Sequence, residues 1–370
     1  MRLGINTLTF GSFTNTSGNI VPLFIRQLSV DNKTWRIVVF LRSDVGMDGG
    51  FPPNVEFVHV KAPHFPLAWF FYQQLVLPFK FRRHNLDKML TISQAFIYAL
   101  GRKNLFMLYD FDFLRFPTEY SLYTRLTFRT NLFFARLLDV RCAVPTYYIR
   151  EEAINLFKFA PKNIDVVPLG VPFVQNRELD YPGLLRDLRA RFKINKNYFF
   201  YIGSDVSHKN ISRTVEGFSL FNAKEKGNYM LVLSGRSFSA DSKVSRHIQN
   251  KKLKNILCTG EITDDEKIAL YSGAAALLFL SFYEGFGLPL IEAQSLGTPV
   301  IAADIGASKE VLGESALLAD PFDIGSIVDT LLSFANNKKT NSNLISKGYE
   351  NVQRFSWEKS ASLLKKALIK

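Results

Sequence analysis

Two glutamates and a glycine-rich turn make residues 279–304, FLSFYEGFGLPLIEAQSLGTPVIAAD, the segment most suited to chemistry. Glu284 opens the EGFG turn, and Glu292 falls on a helix predicted over 288–296. Glycines in a turn permit positive φ angles, and the following helix presents unpaired N–H groups and the positive end of its dipole. We therefore predict an anion site, with Glu292 accepting hydrogen bonds from ribose or sugar hydroxyls. The alternative is an ordinary turn followed by a solvated helix.

Lys209 is the second group that could meet an anion. It falls in FFYIGSDVSHKN, residues 199–210, a pattern that predicts a strand, a loop and a helix beginning near the lysine. An isolated lysine at a helix start is most often a solvated surface residue. The strand-loop-helix context, together with Glu292 further along the chain, favours contact with a diphosphate.

Short apolar runs that alternate with helical stretches must position these residues. In the second half we predict strands over 198–203, 229–234, 256–259, 275–279 and 299–302, and helices over 210–222, 264–272 and 288–296. In the first half the same reasoning predicts strands over 3–8, 35–42 and 55–61 and a helix over 19–28. Continuous apolar strands between helices indicate parallel sheets covered on both faces.

The predicted fold class is α/β, with two Rossmann-like doubly wound domains facing a central cleft. A chain of 370 residues exceeds what one core usually organises, which also favours two domains. Prolines and glycines interrupt both the helical and the strand periodicity around 170–182, where we place the linker. The predicted domains span 1–175 and 176–355, and a final amphipathic helix over 356–370 packs back toward the first domain.

The composition and the N-terminal sequence exclude several classes of protein. The chain is 47% apolar and 21% charged, as expected for a globular protein, and its two cysteines, Cys142 and Cys258, form neither a disulfide framework nor a zinc motif. The N-terminus lacks the pattern of a secretory signal, and no run approaches the roughly 20 apolar residues of a membrane span. We expect a cytoplasmic protein, soluble or peripheral at the inner face of the plasma membrane.

The net charge of +13 is unevenly distributed and favours anionic partners. Residues 1–175 carry +8 and 22 of the 34 phenylalanines. A surface that contacts lipid or a phosphate-bearing acceptor explains both features, although a phenylalanine-rich core explains the aromatics equally well. The segment FYQQLVLPFKFRRH, residues 71–84, is either a core helix with a solvated basic end or a helix at an anionic membrane.

The segment around the two glutamates resembles the signature of retaining glycosyltransferases of family 4, which have the two-Rossmann-domain architecture called GT-B. The likeness rests on EGFGLPLIEA at 284–293 and extends over 255–280 and 307–323, so that it covers most of the C-terminal half. It is similar in detail to bacterial mannosyl- and rhamnosyltransferases that build surface polysaccharides such as O-antigen. The resemblance implies that the C-terminal domain binds a nucleotide sugar and the N-terminal domain binds the acceptor.

The resemblance also implies a role for each matching residue. Glu284 would contact hydroxyls of the donor sugar, Glu292 would bind the ribose, and Lys209 would meet the diphosphate. Positive charge there would stabilise the leaving group in place of a metal ion. Backbone contacts to the sugar and diphosphate would come from Gly285, Phe286, Gly287 and Leu288.

The chain departs from the family at the phosphate contacts. The family often adds an arginine near the lysine, where this chain has Ser204 and His208. The set of side chains that contacts the diphosphate therefore lacks one permanent positive charge, which Arg236 or His208 could supply. Gly18 either matches a glycine loop of the family that faces the diphosphate or belongs to an ordinary helix start.

Asp110 lies in YDFD at 109–112, which also matches the DxD motif that holds a divalent ion in glycosyltransferases of the GT-A architecture. A GT-A enzyme would carry its nucleotide site in the N-terminal half, whereas the signature here is C-terminal, so we predict no metal. The matching strand end of family 4 usually reads His-Asp, and Tyr109 is a departure. Asp110 is kept and would orient the acceptor hydroxyl or the donor sugar.

The resemblance implies transfer of a hexose, of mannose or rhamnose type, from a GDP- or dTDP-linked donor to a saccharide acceptor, and the basic, phenylalanine-rich N-terminal half favours an acceptor that is lipid-linked. Retention of configuration is implied by the resemblance, and no cofactor is expected. One alternative is a GT-B sugar-nucleotide epimerase, which would release an epimer without an acceptor. A nucleic-acid-binding protein would use the +13 charge, but no recognisable nucleic-acid-binding motif accompanies it, and nucleic acid is not expected as a partner.

Overall fold

The computed structural model describes the chain apart from residues 10–15, 48–49, 62, 64–65, 94 and 173–178, and apart from the side chains of 16–19, 66–67, 338 and 340. The chain divides into two compact units. The first comprises Met1–Pro172 and Ser356–Lys370, and the second comprises Phe173–Phe355. The boundary predicted after residue 175 lies close to this division, and part of the predicted linker falls outside the described residues.

A seven-stranded parallel sheet forms the centre of the first unit, in the order β3-β2-β1-β4-β5-β6-β7. Its strands are β1 (Arg2–Asn6), β2 (Arg36–Arg42), β3 (Val55–Val60), β4 (Lys88–Thr91), β5 (Asn104–Met107), β6 (Arg141–Val144) and β7 (Ile164–Val166). The central strands β1 and β5 are almost wholly buried, as a parallel sheet covered on both faces requires.

Six helices connect these strands in the described part of the first unit. They are α1 (Thr16–Asp31), α2 (Pro66–Leu75), α3 (Leu77–Arg83), α4 (Asp112–Arg115), α5 (Leu122–Leu137) and α6 (Tyr147–Phe157). Pro78 lies in the first turn of α3, where its missing N–H breaks no helical hydrogen bond. The Ser121 hydroxyl caps α5 by accepting a hydrogen bond from the Thr124 N–H at 3.1 Å.

The second unit has a six-stranded parallel sheet in the order β10-β9-β8-β11-β12-β13. Its strands are β8 (Asn197–Ile202), β9 (Tyr229–Ser234), β10 (Ile256–Gly260), β11 (Ala276–Phe279), β12 (Val300–Ala303) and β13 (Leu317–Ala319). The strand order reverses between β8 and β11. In open α/β sheets such a reversal leaves a crevice at the carboxyl ends of the strands, where ligands bind.

Eight helices cover the second sheet in the described residues: α7 (Tyr181–Arg191), α8 (Ile211–Lys224), α9 (Lys243–Asn250), α10 (Asp264–Gly273), α11 (Leu288–Ser295), α12 (Gly306–Leu312), α13 (Ile324–Asn336) and α14 (Lys338–Val352). α10 begins with a capping box in which Thr263 and Glu266 exchange hydrogen bonds between side chain and backbone. The α/β class and the two doubly wound parallel sheets predicted from the sequence are confirmed.

The last helix, α15 (Trp357–Ile369), belongs to the first unit and packs against α1. The rings of Phe24 and Trp357 meet edge to face with centroids 4.8 Å apart. The indole N–H of Trp357 donates to the Val171 carbonyl at 2.7 Å, so the chain returns to the first unit through specific contacts. Within the described ranges, no helix has the length and apolar character needed to cross a membrane.

Candidate functional site

Two loops lie side by side at the reversal point of the second sheet. One follows β8 and the other follows β11, and these strands are neighbours that pair Phe199 with Ala276. The Phe282 N–H donates to the His208 carbonyl at 2.7 Å and ties the loops together. The segments that carry Lys209 and Glu284 therefore share the edge of the sheet where a ligand is expected.

Lys209 and Glu284 form an ion pair at this edge. Their Nζ and Oε1 atoms are 2.6 Å apart, and the two side chains are 17% and 11% exposed. The ammonium also lies 5.1 Å from the centre of the Phe279 ring. The fold thus joins a cation and a carboxylate that are 75 residues apart in the sequence, and both remain partly accessible.

Asn210 holds the lysine loop in position. It adopts a left-handed conformation with φ of 57° between the 3₁₀ turn Ser207–Lys209 and α8. Its side-chain amide donates to the carbonyls of Leu280 and Pro321 at 2.9 and 3.0 Å, which fixes the loop to the ends of two strands. Lys209 therefore ends a 3₁₀ turn just before the helix, and sequence patterns gave no sign of the asparagine.

The glycine turn leads directly into α11. Gly287 has φ of 85°, and a Cβ atom there would lie 2.7 Å from the Leu290 side chain, so this position requires glycine. Phe286 is buried and meets Phe355 edge to face, with ring centroids 5.4 Å apart. The turn is thereby rigidly placed, and the N-terminal turn of α11 directs its dipole toward the edge of the sheet.

Glu292 is buried on α11, with 2% of the residue exposed, so the alternative of a solvated helix is wrong. The Tyr271 hydroxyl donates to its Oε2 at 2.9 Å, and Lys267 Nζ lies 3.5 Å from its Oε1. Lys267 also pairs with Asp264 at 3.0 Å. Tyr271 and Lys267, both from α10, were not identified from the sequence.

The two hydrogen-bond partners of Glu292 both have raised pKa values. Burial lowers the pKa of Lys267, but the negative charges of Glu292 and Asp264 outweigh burial and raise it overall. Burial raises the pKa of Tyr271 well above its usual range, and the neighbouring Glu292 raises it further. The glutamate therefore faces a charged ammonium and a neutral hydroxyl donor.

The other predicted phosphate contacts lie around the same strand ends. Arg236 follows Gly235, is 86% exposed and pairs with Glu261 at 3.2 Å. A Cβ at Gly235 would lie 2.0 Å from the Gly203 carbonyl oxygen, so the ends of β8 and β9 approach closely there. Ser204 accepts a hydrogen bond from the Tyr201 hydroxyl through its carbonyl, at 3.1 Å.

The remaining predicted residues belong to the first unit. Asp110 follows β5, and its Oδ1 accepts a hydrogen bond from the Asp112 N–H at 3.3 Å. The Tyr120 hydroxyl donates to the Asp112 carboxylate. Gly18 lies in the first turn of α1, and the loop before it is outside the described residues. In the described part of the chain, no three His, Cys, Asp or Glu side chains group as a metal site would require.

Comparison with known proteins identifies a family and individual proteins that this chain resembles. The family described as Glycosyl transferases group 1 matches residues 187–351. O-antigen chain mannosyltransferase B of Escherichia coli is 28% identical over 225 residues, which are 57% of this chain and 55% of that protein. O-antigen chain mannosyltransferase RfbU of Salmonella typhimurium is 26% identical over 266 residues, 70% of this chain and 68% of that protein. The match to the first relative thus spans about half its length.

A solved structure extends the likeness to the whole chain. The Anabaena protein Alr3699/HepE, in complex with UDP and glucose, superposes with a TM-score of 0.71 at 16% identity, covering 100% of both chains. At this identity the comparison establishes the fold, which is the GT-B fold. The matched family segment contains Lys209, Glu284 and Glu292, and the structure brings the first two into contact.

Proposed function

We propose, from the premise that residues 187–351 are a glycosyl transferases group 1 domain, that the protein is a retaining hexosyltransferase with a nucleotide-diphosphate sugar as donor. The observation that carries the proposal is the ion pair of Lys209 and Glu284 at the reversal point of the second sheet. It combines a cation for a diphosphate with a carboxylate for sugar hydroxyls, which is the pair of groups that a nucleotide sugar requires.

The donor diphosphate competes with Glu284 for Lys209. In the free protein the carboxylate neutralises the ammonium at 2.6 Å. An arriving diphosphate carries more negative charge and also meets the N-terminus of α11, so it draws the lysine away from the glutamate. Glu284 then accepts hydrogen bonds from the sugar. The fixed cation stabilises the charge that grows on the diphosphate as the glycosidic bond breaks, in place of a metal ion.

Glu292 binds the ribose of the nucleotide in this proposal. A carboxylate has about four acceptor sites, and Tyr271 and Lys267 use two of them. The others can accept hydrogen bonds from the two ribose hydroxyls. Tyr271 and Lys267 act as positioning residues that hold the carboxylate in one orientation, and Arg236 or His208 adds a further phosphate contact.

Transfer requires an acceptor hydroxyl that attacks the anomeric carbon from the face that the diphosphate leaves. The bond from the anomeric carbon to the diphosphate oxygen breaks, the bond to the acceptor oxygen forms, and the acceptor proton passes to the departing diphosphate. We assign the acceptor to the first unit, where Asp110 would orient its hydroxyl.

The relatives guide the choice of substrates. Two of them are named O-antigen chain mannosyltransferases. We therefore propose a hexose of mannose type, GDP-linked in preference to dTDP-linked, and a saccharide acceptor carried on a lipid at the inner face of the plasma membrane.

The test is a transfer assay with GDP-mannose and dTDP-rhamnose, with and without a lipid-linked saccharide fraction. We expect release of the nucleoside diphosphate only when the acceptor is present, together with a new glycoside of the same anomeric configuration as the donor. Release of a free epimer without acceptor would identify an epimerase instead. Inverted configuration in the product would overturn the proposed retention.

A further inference from the structure

The outer face of α5 carries large apolar side chains that no part of the described chain covers. Leu122, Leu126, Phe133 and Leu137 are between 53% and 66% exposed. Their spacings of four, seven and four residues place them within about 60° of arc on the helix surface. A helix of a globular protein normally turns such a stripe toward the core. Here the residues that α5 buries are others: Asn131, Leu132 and Ala135.

Positive charge accompanies this stripe without any negative charge. Arg125, Arg129 and Arg136 occupy the neighbouring positions of α5, and Arg129 and Arg136 are exposed. Leu122–Leu137 contains no Asp or Glu. The helix is therefore apolar and cationic on one side, a combination typical of helices that lie in the interface of an anionic bilayer.

The helices α2 and α3 repeat the pattern. Phe71, Leu75 and Phe79 are between 52% and 70% exposed and follow one another at intervals of four residues. The basic residues Lys80, Arg82 and Arg83 end α3. Neither helix contains Asp or Glu.

Tyr98 packs between α2 and α5 and links the two sets of helices. Its hydroxyl donates to Asn131 Oδ1 on α5 at 2.6 Å, and its backbone N–H donates to Gln74 Oε1 on α2 at 2.8 Å. Its ring lies 6.0 Å from Phe70 and 5.1 Å from Phe134, centroid to centroid. These two rings in turn contact the exposed Phe71 and Phe133 at 5.8 and 5.5 Å.

We call the exposed apolar and basic side chains of α2, α3 and α5 the α2–α5 face.

We propose that the α2–α5 face docks on an anionic lipid bilayer. Its leucine and phenylalanine side chains would enter the boundary between headgroups and acyl chains, while the four exposed arginines, Arg82, Arg83, Arg129 and Arg136, contact the headgroups. A second copy of this chain fits less well, because a symmetric contact would bring these cations opposite their own kind with no acidic partner on the same helices. The docking itself is independent of the proposed transferase activity, whereas its use to reach a lipid-linked acceptor rests on that activity.

The experiment is co-sedimentation of the full chain with vesicles of equimolar phosphatidylglycerol and phosphatidylcholine. One variant removes charge, Arg129→Gln with Arg136→Gln, and its matched control is Arg186→Gln with Arg246→Gln on the second unit. Another removes apolar area, Leu126→Gln with Leu137→Gln, and its control is Leu156→Gln with Leu220→Gln at similarly exposed positions. Circular dichroism and GDP affinity are measured for every variant, to establish that the fold and the donor site are unchanged.

We expect wild type to bind these vesicles at about 0.1 M salt and to be released near about 1 M, where the screening length is only about 3 Å. Each arginine near an anionic leaflet is worth roughly fivefold in partitioning, so the charge variant should bind about 25-fold more weakly. The apolar variant should lose about tenfold. Both controls should bind as wild type does.

Three results would overturn the proposal. Wild type that stays in the supernatant at low salt has no bilayer contact. A charge or apolar variant that loses no more binding than its matched control shows that this face makes no specific contact with the bilayer. A wild-type dimer in lipid-free sedimentation that dissociates in the α5 variants makes the face an interface between copies. Absence of GDP binding in every protein would count against the proposed transferase and leave the vesicle result standing.

Discussion

Positive charge is paired with carboxylates at the edge of the second sheet, whereas it is exposed on the α2–α5 face of the first unit. At the sheet edge, Lys209 and Lys267 are each paired with carboxylates and largely shielded from water. On the face, four exposed arginines lie on helices that contain no acidic residue. A cation held by an internal partner is preorganised for one ligand geometry, whereas cations exposed among apolar side chains attract any anionic surface in a salt-dependent way.

The largest expected effect comes from Lys209→Ala, which removes the cation proposed to meet the diphosphate. A unit charge about 4 Å away is worth about 4 kcal/mol at an effective dielectric constant of about 20, which corresponds to about 1,000-fold in rate, so transfer should fall by about 100- to 1,000-fold. The matched control, Lys224→Ala, removes an exposed lysine of α8 and should leave the rate unchanged. If chelation abolishes transfer and Mn²⁺ restores it while Lys209→Ala has little effect, the diphosphate is held by a metal instead.

Glu292→Ala should weaken nucleoside diphosphate binding by about 1.5 to 3 kcal/mol, the range for hydrogen bonds to a charged group. The structure predicts a cost in stability as well, because Tyr271 and Lys267 lose a buried partner. Calorimetric titration with GDP gives the affinity, and urea unfolding gives the stability. Unchanged GDP affinity would remove Glu292 from the site.

The Tyr271→Phe variant tests separately the loss of nucleotide affinity and the loss of stability. Loss of one hydroxyl should lower the free energy of unfolding by about 1 kcal/mol, and the less constrained Glu292 should bind GDP roughly fivefold more weakly. Tyr198→Phe is the matched control, because that buried hydroxyl donates to the Leu270 carbonyl at 2.7 Å in the same unit. It should cost similar stability and leave GDP affinity unchanged. Equal affinity in both variants would reduce Tyr271 to a structural role.

The smallest effect concerns Tyr98 beneath the α2–α5 face. Burial raises its pKa to about 12, above the ordinary value of about 10. A pKa that is higher in the folded chain gives stability that is complete below about pH 10 and is lost as the pH rises toward about 12. Tyr98→Phe should reduce that alkaline loss by about 1 kcal/mol, a figure already discounted for partial solvation. Urea unfolding at several alkaline pH values measures it, and identical pH dependence in both proteins would contradict it.

Elements with strong local signals were predictable. The helix predicted over 288–296 is observed as Leu288–Ser295, and the strand predicted over 229–234 is observed with the same bounds. Strands β4 to β7 were not predicted: each has only three or four residues, too few for periodicity, and unlike the equally short β11 and β12 they do not adjoin the glycine-rich segment.

The glutamates of the site were predictable, but their partners were not. Lys267 and Tyr271 come from α10 and reach Glu292 only because the sheet brings α10 and α11 together. The stripe of α5 was missed for another reason. Apolar residues at helical spacing look the same whether the stripe faces a core or solvent, and only the fold shows that Asn131 is turned inward while Phe133 is exposed.

The most direct test of the account is the thermal stability of the full chain with GDP, UDP and dTDP, in wild type, Lys209→Ala and the Arg129→Gln, Arg136→Gln variant. A ligand at about 100 times its dissociation constant stabilises the folded state by about 2.7 kcal/mol. We expect one of the nucleotides, GDP first, to stabilise wild type and the α5 variant equally, and to stabilise Lys209→Ala far less. A wild type that no nucleoside diphosphate stabilises, or a Lys209→Ala protein that responds as wild type does, would contradict the assignment of the donor site to the edge of the second sheet.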